Sequence, residues 1–296
     1  MTTMKITKFL LVLSAMSYKS IAQHPQLQKQ LQTCVTCHSA ITGISLKLLE
    51  TKEAININNI HKYPMQSTYK VPLAMYILDG VDKGAIKLEQ KIHITNELRR
   101  NTWSPLAEKY PKGNVDLTVR ELLEYMVSAS DNNACDILFK LAKGPKVVND
   151  YIHKLGIKDM NIAATEAQMG AKWDMQYTNW VNPSAMIQVL EGLYNHKYIS
   201  EKSSALLLQW MTNSANSDKR IKGLLPKGTE VAHKTGTSGT DKKGLTAAVN
   251  DIGIITLPNG KHLAIAVFVS DFNDKPEVAE KTIADIAKAA YDEYDK

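Results

Sequence analysis

Cysteine, phenylalanine and tryptophan are scarce in this 296-residue chain, with three, four and four copies. Three cysteines are an odd number and too few for disulfides to define the fold. Long apolar runs are missing too: beyond residue 22 no segment has the length that a membrane-spanning helix requires. The eight histidines include no H-x-H or H-E-x-x-H grouping, which disfavours a metal-dependent hydrolase, and no metal ligand is expected. No internal repeat, low-complexity tract or basic cluster stands out. The formal charge is +6, and half of that excess is Lys5, Lys8 and Lys19 near the N-terminus. A nucleic-acid partner is therefore not expected.

What is present is the composition of an ordinary globular protein, long enough to bury a sizeable core in two closely packed lobes. The first 22 residues have the pattern of an export signal. Lys5 and Lys8 form a basic start, Phe9 to Met16 a short apolar run, and Ser20-Ile21-Ala22 a small-residue cleavage site. The expectation is a cleaved signal and a periplasmic, monomeric protein with no membrane anchor. Cys34 and Cys37 are close enough to bridge in an oxidising compartment. With His38 they also match the C-x-x-C-H haem-attachment pattern. That match falls between a predicted helix and a predicted strand with no room for a separate haem domain, so no cofactor is expected. Cys135 lies on an apolar helical stretch and reads as a small buried residue.

Periodicity places helices over Gln26–Thr36, Val71–Leu78, Val119–Ser128, Asp131–Leu141, Val147–Leu155, Pro183–Tyr194, Ser203–Met211 and from Val278 to Ala290. Strands are predicted over Ile41–Leu49, Ala54–Asn58, Val231–Thr235, Leu245–Leu257 and His262–Ser270, with Pro258-Asn259-Gly260 as a hairpin link. The order implies an α/β (α+β) fold: an antiparallel sheet of early and late strands, flanked by terminal helices, with an all-helical lobe inserted. Residues 23–66 with 213–296 would form the sheet lobe and 67–212 the helical lobe. A cleft between them is the natural site. The stretch Ala163–Trp180 has little periodicity and reads as a long polar loop, a length that is often functional.

Three motifs fall in one order. Ser67-Thr68-Tyr69-Lys70 puts a hydroxyl and an amine three residues apart on one helix face. A helix starting near Ser67 tolerates Pro72 and sets the serine at its positive end. Ser130-Asp131-Asn132 ends one helix and opens the next, with Asp131 a candidate cap, Ser130 a candidate proton relay and Asn132 a candidate amide contact. Lys234-Thr235-Gly236 falls on a strand. There Lys234 and Thr235 can bind a carboxylate, and a glycine suggests that something approaches the backbone closely.

These residues resemble the class A serine β-lactamases, which share this motif set with the penicillin-binding proteins. The resemblance covers nearly the whole chain after residue 22. The stretches QSTYKVPLAMYILD, NTWSPL, SASDNNACDIL and RIKGLLPKGTEVAHKTGTSG look most like the extended-spectrum branch typified by the PER, VEB and CfxA enzymes. The resemblance implies hydrolysis of penicillins and cephalosporins through a Ser67 acyl-enzyme, deacylated by a water that Glu166 activates. Lys70 and Glu166 are then both candidates for the acylation base, and the backbone of Ser67 and Thr237 for the oxyanion hole. Trp103 would line the mouth, Arg220 would add charge beside Lys234, and Ser238 would lie along the substrate strand. The alternative is a D-alanyl-D-alanine peptidase or penicillin-binding protein, which lacks such a glutamate.

Two departures stand out. Gly170 occupies a place where many class A enzymes carry asparagine, and Ala164 with Asn179 replaces their loop-closing Arg–Asp pair. The loop must be held differently, with Asn179 a candidate for placing the water, and a roomier pocket is expected.

Overall fold

In the computed structural model, residues 24–36, 39–96, 98, 101–215 and 218–296 are described. The export-signal pattern, Cys37 and His38 lie outside them. Helix α1 (Pro25–Thr36) leads into strands β1 (Ile41–Leu48), β2 (Ala54–Ile57) and the short β3 (Tyr63–Pro64). A 3-10 turn (Gln66–Tyr69) then runs directly into α2 (Lys70–Asp82). Next come β4 (Lys91–Ile94), α3 (Pro105–Lys109), β5 (Val115–Thr118), α4 (Val119–Ser128), α5 (Asn132–Leu141), α6 (Pro145–Lys154) and β6 (Met160–Asn161). They are followed by α7 (Glu166–Ala171), a 3-10 segment (Trp173–Thr178), β7 (Trp180–Val181), α8 (Pro183–Tyr194) and α9 (Glu201–Thr212). Strands β8 (Val231–Thr237), β9 (Thr246–Thr256) and β10 (His262–Phe272) precede the final helix α10 (Pro276–Tyr294).

Five strands form the main sheet in the order β2-β1-β10-β9-β8, antiparallel throughout. The β9–β10 link closes where the sequence signal lay. Gly260 takes φ +78°, a conformation that costs an L side chain, and its N–H meets the Leu257 carbonyl at 2.9 Å. Alternation along β10 then divides the core. Leu263, Ile265, Val267 and Val269 face α1 and α10, burying against Leu27, Leu31, Ile283 and Ile286. Ala264, Ala266 and Phe268 face the other way and join the core of the helical portion, with Tyr63, Leu190 and Val181. A strand covered on both sides must be apolar on both faces, and this one is.

The segment between β2 and β8 is not purely helical. β4 pairs with β5, and β3, β7 and β6 form a small sheet that ties the residues before Ser67 to the end of the 163–180 stretch. That stretch also departs from the expected loop, because it contains α7. The signal was present: Thr165 and Gln168 form a reciprocal capping box, each side chain meeting the other residue's backbone N–H.

Truncation of Phe268 to alanine, at the seam between sheet and helical portion, should cost about 3–5 kcal/mol in denaturant unfolding. Ile60→Ala, at a side chain 93% exposed, should stay within about 0.5 kcal/mol of wild type.

Candidate active site

The site is assembled from backbone geometry that few residues adopt freely. Gln66 and Ser130 both sit at positive φ, +48° and +57°, a strained region for side-chain-bearing residues. Gln66 opens the 3-10 turn that carries Ser67. Ser130 lies in the short link between α4 and α5, pinned on both sides. The Asp131 N–H donates to the Tyr125 carbonyl at 3.0 Å and the Asn132 N–H to the Trp103 carbonyl at 3.1 Å. Asp131 is fully buried. It caps α5 through the Ala134 N–H and also accepts from Ser104 Oγ and the Leu106 N–H, at 2.8, 2.8 and 2.7 Å. A buried carboxylate with all these donors is a structural anchor.

Around that anchor the candidate residues converge. The fully buried Lys70 ammonium donates to the Ser130 carbonyl at 2.8 Å and to Asn132 Oδ1 at 2.6 Å, and lies 3.5 Å from Ser130 Oγ. Glu166 Oε1 is 3.1 Å from the same ammonium, yet has no partner in hydrogen-bond geometry. From the other side, Lys234 Nζ donates to Ser130 Oγ at 2.8 Å. Burial, then the charge of Lys70, pushes the Lys234 ammonium well below the usual lysine range. Ser67 is partly exposed between buried neighbours, and its Oγ makes no hydrogen bond among the described residues. A hydroxyl at the floor of an open cleft, beside an amine–carboxylate pair, can act as a nucleophile.

The cleft comprises two adjoining cavities of about 320 and 340 Å³ that share Gln66, Asn132, Glu166 and Thr237. The first contains Ser67, Trp103, Ser130, Arg220 and Thr235, and the second Gly170, Trp173, Gln176 and Ser238. A larger cavity of about 560 Å³ lies on the far side of α5, lined by Ile92, Ile94, Ile137 and Asp136. None of the residues of the three motifs, nor Glu166, lines it, so chemistry and not size identifies the site.

The β-lactamase enzyme family matches residues 26–294. The extended-spectrum β-lactamase PER-1 of Pseudomonas aeruginosa is 42% identical over 95% of this chain and 92% of its own length. The chain belongs to the class A β-lactamases. The β-lactamase VEB-1 of Pseudomonas aeruginosa is 41% identical over 98% of this chain and 99% of its own. In three dimensions, the crystal structure of the TLA-3 extended-spectrum β-lactamase superposes with a TM-score of 0.90 at 47% identity. That match covers 91% of this chain and 98% of the other.

This β-lactamase closes its 163–180 loop with amides in place of an ion pair. Asn179 is fully buried: Oδ1 accepts from the Ala163 and Ala164 N–H groups at 2.7 and 2.8 Å, and Nδ2 donates to the Ala164 carbonyl at 2.8 Å. It does not face the cleft, so the expectation that it contacts substrate or places the water is corrected. Its amide is spent on the loop backbone. The sequence reading missed Asp136. One of its carboxylate oxygens accepts from the Glu166 N–H at 2.8 Å and the other from Ala167 at 3.0 Å, so it anchors the start of α7. Its place on α5, one turn after Asn132, was the available signal. Gln66 and Gln176 were missed as well. Their buried side chains meet at 2.7 Å and join the Ser67 turn to the loop.

The remaining candidates fall around the cleft. Trp103 is 57% exposed at the mouth, with its indole N–H on the Ala129 carbonyl at 2.8 Å. Arg220 is buried and donates to the Gly236 and Asn250 carbonyls at 3.1 and 2.8 Å and to Thr237 Oγ1 at 2.7 Å. Ser238 Oγ accepts from the Ala248 N–H at 3.0 Å, holding the start of the β8–β9 connection. Gly236 has an internal cause: a Cβ there would stand 2.6 Å from the Met65 carbonyl oxygen. The close approach that glycine signalled is the Ser67 segment itself.

Asn179→Ala should destabilise the enzyme by about 2–3 kcal/mol, since several loop groups lose their partners at once. Thermal unfolding measures this, and faster hydrogen exchange at Ala163 and Ala164 should accompany it.

Proposed function

We propose that Ser67 Oγ attacks the carbonyl carbon of the β-lactam ring, with its proton passing to the Lys70–Glu166 pair. The carbon–nitrogen bond then breaks, and Ser130 Oγ passes a proton to the departing nitrogen. Ser130 suits this task because Lys234 holds its oxygen at 2.8 Å and Lys70 lies within 3.5 Å. Developing charge on the carbonyl oxygen would be met by the backbone N–H groups of Ser67 and Thr237. The substrate carboxylate would lie against Lys234, Thr235 and Arg220, and its side-chain amide against Asn132. The acyl-enzyme is released when Glu166 takes a proton from water, which adds to the ester carbonyl and frees Ser67. The single observation that carries this reading is Glu166 Oε1: buried, 3.1 Å from the Lys70 ammonium, and with hydrogen-bonding capacity left over.

The substrate range is read from the second cavity. Gly170 contributes no side chain to it, Ser238 lies on its opposite wall, and PER-1 and TLA-3, to which the chain is similar, carry the extended-spectrum description. Oxyimino-cephalosporins are therefore proposed as substrates beside penicillins. The helical portion, residues 67–212, is proposed as one lobe and 23–66 with 213–296 as the other. Among the described residues no helix is long and apolar enough to cross a membrane. Residues 1–22 are proposed to direct export to the periplasm, where the enzyme would act as a monomer.

Glu166→Ala should slow deacylation by roughly 10²–10⁴-fold, so that intact-mass measurement finds a persistent adduct on Ser67. Turnover at the wild-type rate would refute the assignment, and Ser67→Ala should form no adduct. For the purified enzyme, cefotaxime turnover should be readily detectable beside that of benzylpenicillin. Hydrolysis of benzylpenicillin alone would remove the extended-spectrum reading.

A further inference from the structure

Lys234 poses a problem that the acylation chemistry does not answer. Its side chain is fully buried, its partners are Ser130 Oγ at 2.8 Å and the Thr235 carbonyl at 3.1 Å, and both are neutral. Among the described residues no carboxylate oxygen lies within 4.0 Å of its ammonium, whereas Lys70 has Glu166 at 3.1 Å and Arg220 has Glu280 at 3.3 Å. A buried cation without an opposite charge nearby is costly, so its charge must be balanced from farther away.

The neighbouring strand supplies a buried anion. Asp251 of β9 is fully buried and is the register partner of Thr235, the residue after Lys234. Both of its carboxylate oxygens lie 3.1 Å from Nδ1 of His233, which is also fully buried. The Nε2 atom of His233 has no partner, so the ring is held in the Nδ1–H form and donates to the carboxylate. A slot is built for it. Gly253 stands opposite His233, and a Cβ there would come within 2.9 Å of the histidine Cβ and 2.6 Å of the Ala232 carbonyl. Asp251 Oδ2 also accepts from the Ile221 N–H at 3.2 Å. Ile221 follows Arg220, whose guanidinium reaches Thr237 Oγ1 in the cleft. One buried carboxylate thus sits beside the chain segments that deliver both carboxylate-binding cations.

We propose that Asp251, oriented by His233, is the positioning counter-charge for Lys234 and Arg220, and that this pair governs how tightly the cleft holds the carboxylate of its substrate. Burial and Lys70 push Lys234 toward the neutral amine, and Arg220 adds to them. Asp251 leads the opposing influences, ahead of Glu166. The charged groups around Lys234 are Lys70 from α2, Glu166 from α7 and Arg220, with Asp251 of β9 on the opposite face of the sheet beside His233. Asp251 itself faces His233 on β8 and the Arg220–Ile221 segment, where Arg220 also meets Glu280 of α10.

The proposal rests on the reading of Lys234 as the carboxylate anchor, and the test separates the two. The full-length enzyme is assayed with a chromogenic cephalosporin as the free acid and as its methyl ester. Asp251→Asn, nearly isosteric, should lower kcat/KM for the acid by about tenfold or more, mainly through KM, with the ester changing less than about twofold. The alkaline limb of the acid's pH profile should move to lower pH, because Lys234 loses the anion that favours its charged form. Equal losses on acid and ester, or an unmoved alkaline limb, overturn the proposal. Should Asp251→Asn fail to fold, His233→Leu and His233→Gln decide it. The acid-to-ester ratio should fall in the first and recover in the second, which restores a donor, and no separation between them overturns it. Lys234→Ala provides the reference. If it discriminates acid from ester and the pair variants do not, the pair is refuted alone. If Lys234→Ala does not discriminate either, the anchor reading falls and the proposal with it.

Discussion

Lys70 is an ammonium with no contact to solvent, and its hydrogen-bonding needs draw four segments of the chain to one point. It begins α2, and it reaches the Ser130 carbonyl from the α4–α5 link, Asn132 Oδ1 from the start of α5 and Glu166 from α7. An ammonium in a dry interior is costly without its partners, so these segments are held against one another. Ser67 precedes Lys70 by one turn and inherits that precision. The proposed nucleophile is placed by the needs of its neighbour, and among the described residues its own oxygen stays uncommitted.

The rest of the fold meets that demand. Ser130 can turn its carbonyl to Lys70 and its hydroxyl to Lys234 in a left-handed conformation that Asp131 makes tolerable by capping α5 and binding the Ser104–Leu106 segment. Glu166 is delivered by a short helix whose first N–H groups rest on Asp136. Asn179 closes the loop behind it and, through its carbonyl, receives the Met65 N–H at 2.8 Å. The loop and the Ser67 turn are thereby fastened to each other as well as to Lys70. The same economy applies on the sheet side, where Gly236 lets β8 approach the Met65 carbonyl closely enough for Lys234 to reach Ser130.

Much of this was legible in the chain. Apolar alternation along Leu263 to Val269, with Ala264, Ala266 and Phe268 between, predicted a strand covered on both faces, and each set joins a different core. Helices at Val119 and Pro183 begin and end where periodicity and the tolerated proline put them. Two parts were misread for identifiable reasons. Helix α7 is only six residues long, so it left no periodicity, although Thr165 and Gln168 carried its cap signal. Asn179 was read as a candidate for placing the water because it stands, with Ala164, where the family's loop-closing pair would be, when burial commits its amide to backbone groups.

The sequence by itself determined the residue types from which the chemistry is proposed. A serine and a lysine three residues apart, a Ser-Asp-Asn link, a Lys-Thr-Gly strand and a glutamate between helices are local patterns, and local patterns survive in one dimension. Only the tertiary structure decided the partnerships. That Lys70 answers to Ser130, Asn132 and Glu166, that Asp136 anchors the helix of Glu166, and that Lys234 stands, among the described residues, without a carboxylate at contact distance while Asp251 lies buried on the next strand all depend on long-range packing. Burial is what gives such contacts their weight, because a charge removed from water must find its partners wherever the fold has brought them.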